Sequence, residues 1–170
     1  MDKILEGHFY SPTKGKVKTE RVADELISYI SERPEKFYDI IVGCDSSSSE
    51  EPHFPLAVVV LRVGEGGRFF LKRVFCQGRK FYNYKQRILE EVFLSCQMAL
   101  YLKERFERRI SDFGKDKLRY QFRYIHADVG ENGKTKDMIK EVTGLIKGNG
   151  FEPKIKPESF AASSVADRFS

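Results

Sequence analysis

No two cysteines in this chain have the spacing of a metal or redox motif. Cys44, Cys76 and Cys96 are odd in number and far apart, with no CxxC or Cys/His zinc pattern. A disulfide scaffold is therefore not expected. The thiols read as small buried apolar groups in a reducing compartment. No apolar run approaches membrane-spanning length, and Met1-Asp2-Lys3-Ile4-Leu5 lacks the pattern of a signal peptide. The expected setting is cytoplasmic, with no membrane partner. There is no internal repeat, no linker and no low-complexity tract beyond the serines at 46–49. A strong charge bias is also missing: 30 basic against 25 acidic residues leave +5, which permits a polyanionic partner without demanding one.

What is present suits one globular domain with a real core, since 170 residues carry 41% hydrophobic and 32% charged side chains. Residues 1–36 read as an arm or short hairpin plus a helix belonging to the same domain, and 37–170 as its main body. Thr19 is the expected N-cap of a helix to about Arg33, with Val22, Leu26, Ile27 and Ile30 on one face and Pro34 as its stop. Strands are expected from about Phe37 to Cys44, at Leu56–Leu61 and from Arg68 to Gln77, the last two closed by Gly64-Glu65-Gly66-Gly67. A long helix from about Asn83 to Arg109 follows. Next come a strand from Tyr120 to Ala127, a helix capped by Thr135, a short strand at Phe151–Ile155 and a last helix, Phe160 to Phe169.

The first three strands are joined by short connections and should form an antiparallel meander. The last two each follow a helix and should be parallel crossovers. The strand ending near Ala127 then lies beside the one ending at Cys44, on the side away from the meander. That makes a topological switch point, where open α/β sheets bind ligands beyond the carboxyl ends of their strands. Asp45 and Asp128 occupy those two ends. Ile40, Ile41 and Val42 form a buried run, and a carboxylate at its exit is costly to desolvate unless a charge answers it. Oxygen-only ligands point to Mg²⁺ or Mn²⁺ rather than zinc.

Four stretches carry a family resemblance: Ile41-Val42-Gly43-Cys44-Asp45-Ser46, Arg87-Ile88-Leu89-Glu90-Glu91-Val92, the run from His126 to Lys136, and the run from Lys156 to Asp167. They resemble the YkuK-type bacterial proteins of the ribonuclease H-like superfamily, and the likeness extends over nearly the whole chain. The resemblance implies an α/β ribonuclease H-like fold with a five-stranded mixed sheet, three antiparallel strands plus two parallel ones, flanked by helices. It also implies four metal-binding acids. Asp45, Asp128 and Asp167 match three of them, and the helix acid lies between Glu90 and Glu91. Helical spacing sets Glu91 beside Leu94, Ser95, Met98 and Leu102, at the edge of the buried side, whereas Glu90 aligns with Gln86, Gln97 and Tyr101. Glu91 is the choice.

On this reading the protein is a metal-dependent nuclease hydrolysing phosphodiester bonds by a two-metal mechanism, with Asp45, Glu91, Asp128 and Asp167 both catalytic and metal-binding. Lys134, Lys85, Arg87 and Ser46 are the expected contacts to a nucleic-acid substrate, RNA, DNA or hybrid. The alternative keeps the fold as a non-catalytic nucleic-acid or protein-binding domain. Each acid also has a simpler reading: Asp45 as an Asx-turn former with Ser46 or Ser47, Asp128 as a loop opener, Glu91 and Asp167 as solvated helix residues. His126 reads as a satisfied core histidine. Gly133-Lys134-Thr135 is not a nucleoside-triphosphate loop, because the glycine required five residues earlier is Asp128. Arg105, Arg108, Arg109, Lys115, Lys117, Arg119 and Arg123 form either a nucleic-acid footprint or a solvated helix end.

Overall fold

The structure, a computed structural model, describes residues 2–49, 51–76, 78–112, 114 and 117–161. Its strands are β1 (His8–Ser11), β2 (Gly15–Lys18), β3 (Tyr38–Cys44), β4 (His53–Arg62), β5 (Gly66–Phe75), β6 (Tyr120–His126) and β7 (Glu152–Lys154). Its helices are a short α1 (Asp2–Leu5), α2 (Val22–Glu32), α3 (Tyr84–Asp112) and α4 (Ile139–Gly148). All strands join one seven-stranded sheet in the order β2-β1-β5-β4-β3-β6-β7. The expected meander is β3-β4-β5, antiparallel throughout, and β6 and β7 follow parallel to β3. The five-stranded expectation is too small. The N-terminal arm is a hairpin that extends the sheet at its β5 edge through the pair Tyr10↔Leu71.

Alternation along the strands divides the core between the two sheet faces. Ile40, Val42 and Cys44 of β3 point to the helix layer, among Val92, Met98, Leu102 and Phe106 of α3. Phe106 is fully buried and meets the Tyr120 and Phe122 rings at 4.5 and 5.3 Å. Burying a side chain of that size contributes roughly 1.5–3 kcal/mol. Ile41 and Val59 face the other way and are covered by Ala161, with Phe160 and Tyr124 at the margin. The β4–β5 hairpin needs glycine at 67, where a Cβ would lie 2.0 Å from the Val60 carbonyl oxygen.

Two expected caps do other work. The helix after Thr19 begins as a 3-10 turn, Thr19–Arg21, with no side-chain cap. The Thr19 hydroxyl instead donates to the Gly7 carbonyl at 3.2 Å. Thr135 likewise caps nothing, and its Oγ1 accepts from the Gly130 amide at 3.1 Å. In both cases a backbone group outside the helix takes the hydroxyl, from twelve residues away for Thr19 and five for Thr135.

Thr19 belongs to a buried polar knot that fastens the hairpin. The Lys72 ammonium, on a side chain only 7% exposed, donates to the Ile4 carbonyl at 2.6 Å, to Thr19 Oγ1 at 3.1 Å and to the Glu6 carbonyl. All its protons find oxygen acceptors. Burial lowers its pKa to about 8, against the opposing charge of Glu6. Lys72→Met keeps the stem and strips the donors from those carbonyls. The expected loss is about 2–3 kcal/mol by urea denaturation, with faster proteolysis within residues 1–21. A variant as stable as the wild type would show that the knot does not hold the hairpin.

Candidate metal centre

Parallel pairing of β3 with β6 sets Gly43 opposite His126. Asp45 and Asp128, each two residues further on, therefore leave neighbouring strands at the same edge of the sheet. Asp45 is fixed by its amide, which donates to the Pro55 carbonyl at 3.1 Å. Its Oδ1 accepts from the adjacent Ser46 amide at 2.8 Å, a local contact one residue short of an Asx turn. Ser46 turns its hydroxyl to α3 and donates to Glu91 Oε1 at 2.5 Å, a short contact. Ser46 thereby bridges the strand end and the helix.

Glu91 is the electrostatic centre of this corner. It is 5% exposed. Burial pushes its carboxyl well above the usual value of 4.5; the Ser46 hydrogen bond and the Arg87 charge oppose that rise, and the negative charges of Asp45 and Asp128 add to it. Both aspartates are thus close enough to be felt at a buried carboxyl on another element. Glu90 faces a different set of groups: Arg79 at 3.1 Å and the Cys76 thiol at 3.8 Å. Asp128 meets the Lys156 ammonium at 3.2 Å. That contact is an ion pair without hydrogen-bond geometry, and the buried Oδ1 atom accepts no hydrogen bond.

Lys156 escaped the sequence reading. Its amide donates to the Val129 carbonyl at 2.8 Å, which holds this stretch beside the loop after β6. Gly130 leaves room for its stem, since a Cβ there would lie 2.9 Å from Lys156 Cβ. The available signal was a glycine two residues after the strand-end acid, but only the fold shows which side chain fills the space. Asp167 lies outside the described residues.

The expected substrate contacts are divided. Arg87 lies near enough to Glu91 to lower its pKa, and Ser46 is bonded to it. Lys85 pairs with Asp137 at 3.0 Å, and Lys134 lies over the Tyr84 ring at 4.9 Å. The basic stripe is largely committed to the fold. Arg105 donates to the Glu20 carbonyl, Arg119 to the Glu35 carbonyl, and Arg108, Arg109 and Arg123 pair with Glu104, Asp24 and Glu152. His126, 3% exposed, is a core histidine: its Nδ1 accepts from the Ala161 amide at 3.2 Å, and burial lowers its pKa to about 4. Cys44 and Cys96 are buried, with burial raising both thiols, and Cys76 is partly exposed.

The proposed donors, Asp45, Glu91 and Asp128, offer oxygen only, the kind a hard divalent cation takes; the Glu91 carboxyl is desolvated, and the Asp128 Oδ1 atom accepts no hydrogen bond and is met by the Lys156 ammonium. It is not preassembled. Among the described residues, no group of three or more His, Cys, Asp or Glu side chains stands in ligating geometry. Glu91 is instead hydrogen-bonded by Ser46, and Asp128 is paired with Lys156.

A family model described as ribonuclease H-like matches residues 21–170. The chain belongs to the ribonuclease H-like family. It is 30% identical over 169 residues to the uncharacterised protein YkuK of Bacillus subtilis strain 168, with 95% of each chain covered, and is of the YkuK type. No solved structure gives a significant match. The ribonuclease H-like match begins after β1 and β2, so the hairpin lies outside that core. No described helix is long and apolar enough to cross a membrane.

The raised pKa of Glu91 has a definite sign. The folded chain keeps this proton to higher pH than the unfolded chain does. Glu91's contribution is therefore full below about 4.5 and is lost as the pH rises from there toward the folded-state value. In metal-free buffer at pH 8, Glu91→Gln is expected to melt above the wild type, and the gap should close as the pH falls toward 4.5. Equal melting temperatures at pH 8 would mean that no carboxylate is being held out of water there.

Proposed function

We propose that the protein is a divalent-metal-dependent nuclease of the ribonuclease H-like family, acting on phosphodiester bonds of nucleic acid. The observation that carries this reading is the placement of Asp45 and Asp128 at the ends of adjacent parallel strands, with buried Glu91 joined to that corner through Ser46. Asp45, Glu91 and Asp128 would hold Mg²⁺ or Mn²⁺, with Asp167 as the fourth acid. Such ions, when bound, polarise a water and neutralise the leaving oxygen. The Asp45 main chain is held by the Pro55 carbonyl of β4 and its carboxylate by the Ser46 amide, which lowers the cost of ordering it. Ser46 orients Glu91 and keeps one of its oxygens hydrogen-bonded until a cation arrives. Arg87, beside Glu91, is a candidate contact for the substrate backbone.

Lys156 supplies a resident positive charge to Asp128 and shares that carboxylate with any incoming cation. Its removal is expected to tighten Mn²⁺ binding. Lys156→Gln should lower the Mn²⁺ dissociation constant by about three- to tenfold in calorimetry, a change of roughly 1 kcal/mol of the size measured for charge pairs. Unchanged affinity would mean that the lysine does not compete with the cation.

The second reading is a non-catalytic nucleic-acid or protein-binding domain. It is favoured by the same ion pair and by the absence, among the described residues, of preassembled ligand geometry. Cleavage separates the two. Single-stranded, duplex, hybrid and branched substrates should be incubated with Mg²⁺ or Mn²⁺. The nuclease reading expects cleavage that falls by about a hundredfold or more in Asp45→Asn. Salt-dependent binding with no cleavage above that variant, under either ion, would leave the binding domain.

A further inference from the structure

The N-terminal hairpin adds a surface to the nuclease core. Phe9 and Val17 of the hairpin and Phe70 and Val74 of β5 are buried toward the helix layer. Their alternating neighbours therefore face outward on the opposite side of the sheet. The registers His8↔Lys18, Tyr10↔Lys16 and Tyr10↔Leu71 put those outward residues side by side, followed along β5 by Arg73 and Phe75. None of the residues that β1, β2 and β5 present on this face is acidic. Two aromatics stand well exposed, Tyr10 at 55% and Phe75 at 58%. Beside Tyr10 a groove of about 540 Å³ is lined by His8, Tyr10, Lys16, Leu71 and Arg73, with Phe9 and Lys72 of the same strands beneath, and Phe75 lies further along β5.

The groove leads toward the acids. β5 and β3 run in the same direction, so Phe75 lies at the sheet edge where Asp45 leaves β3. The His53 ring sits 6.1 Å from the Phe75 ring, and the His53 amide donates to Ser47 Oγ at 3.2 Å. One row of β-sheet neighbours thus joins the hairpin to the loop carrying Asp45 and Ser46.

We propose that the outward face of β1, β2 and β5 binds single-stranded nucleic acid, with Tyr10 and Phe75 stacking unpaired bases while Lys16, Lys18 and Arg73 hold the phosphates. This inference rests on the nuclease reading for its substrate class and narrows it to unpaired strands. Cations tracking a backbone beside exposed rings are the physical requirement for binding a strand without a partner. A base-paired duplex hides its ring faces and gains only the charge.

The test is fluorescence anisotropy with labelled 15-residue oligo-dT, oligo-U and a duplex of equal length, in EDTA over a salt series. Single strands, in the DNA arm, the RNA arm or both, are expected to bind about tenfold or more tightly than the duplex. Tyr10→Ala and Phe75→Ala should each weaken binding by about tenfold at unchanged salt slope. Lys16→Gln and Arg73→Gln should each reduce the log–log salt slope by about 0.7. Tyr10→Phe, which keeps the ring, should bind as the wild type does and guards against a folding defect. No binding, equal affinity for the duplex, equal competition by base-free polyphosphate, or four variants with wild-type affinity would each overturn the proposal. Mn²⁺ affinity, measured separately, should survive in all four variants. A wild-type protein that binds strands but no Mn²⁺ would instead condemn the metal reading.

Discussion

Desolvating a carboxyl group beside two other carboxylates is the constraint on which the corner of this molecule depends. Glu91 is almost without water, and Asp45 and Asp128 add their charge to that cost. The chain answers locally with a hydroxyl from Ser46, a guanidinium from Arg87 and an ammonium from Lys156. None of these neutralises all three acids at once. A divalent cation could, and that is the physical ground of the proposed metal site.

The fold makes the corner by ordinary means. Parallel pairing of β3 and β6 delivers two strand ends to one edge, and α3 crosses the same end of the sheet with Glu91 turned inward. The hairpin is secured differently, by one buried lysine whose acceptors come from three places in the N-terminal arm. The sheet is thereby extended at the edge opposite β7, and its outward face becomes a broad surface leading to the acids.

The legible parts of this architecture were those written in local pattern. The buried run Ile40-Ile41-Val42 stops at an aspartate, and helical spacing distinguishes Glu91 from Glu90. Other features depended on distant partners. β1 and β2 are four residues each and meet β5 at one bridging pair, so a short basic segment gave no sign of joining the sheet. Thr19 and Thr135 look like caps in sequence, but the Gly7 carbonyl and the Gly130 amide, both outside those helices, claim their hydroxyls. Lys156 pairs with Asp128 only because Gly130 leaves room for it, a steric fact invisible without the fold.

The most direct test of the central claim is a crystal of the full chain soaked in Mn²⁺ and measured at the manganese absorption edge. The account predicts anomalous density within about 2–2.5 Å of oxygens from Asp45, Glu91 and Asp128, with Lys156 withdrawn from Asp128. Density found only elsewhere, with Lys156 still paired to Asp128 and Ser46 still bonded to Glu91, would contradict it.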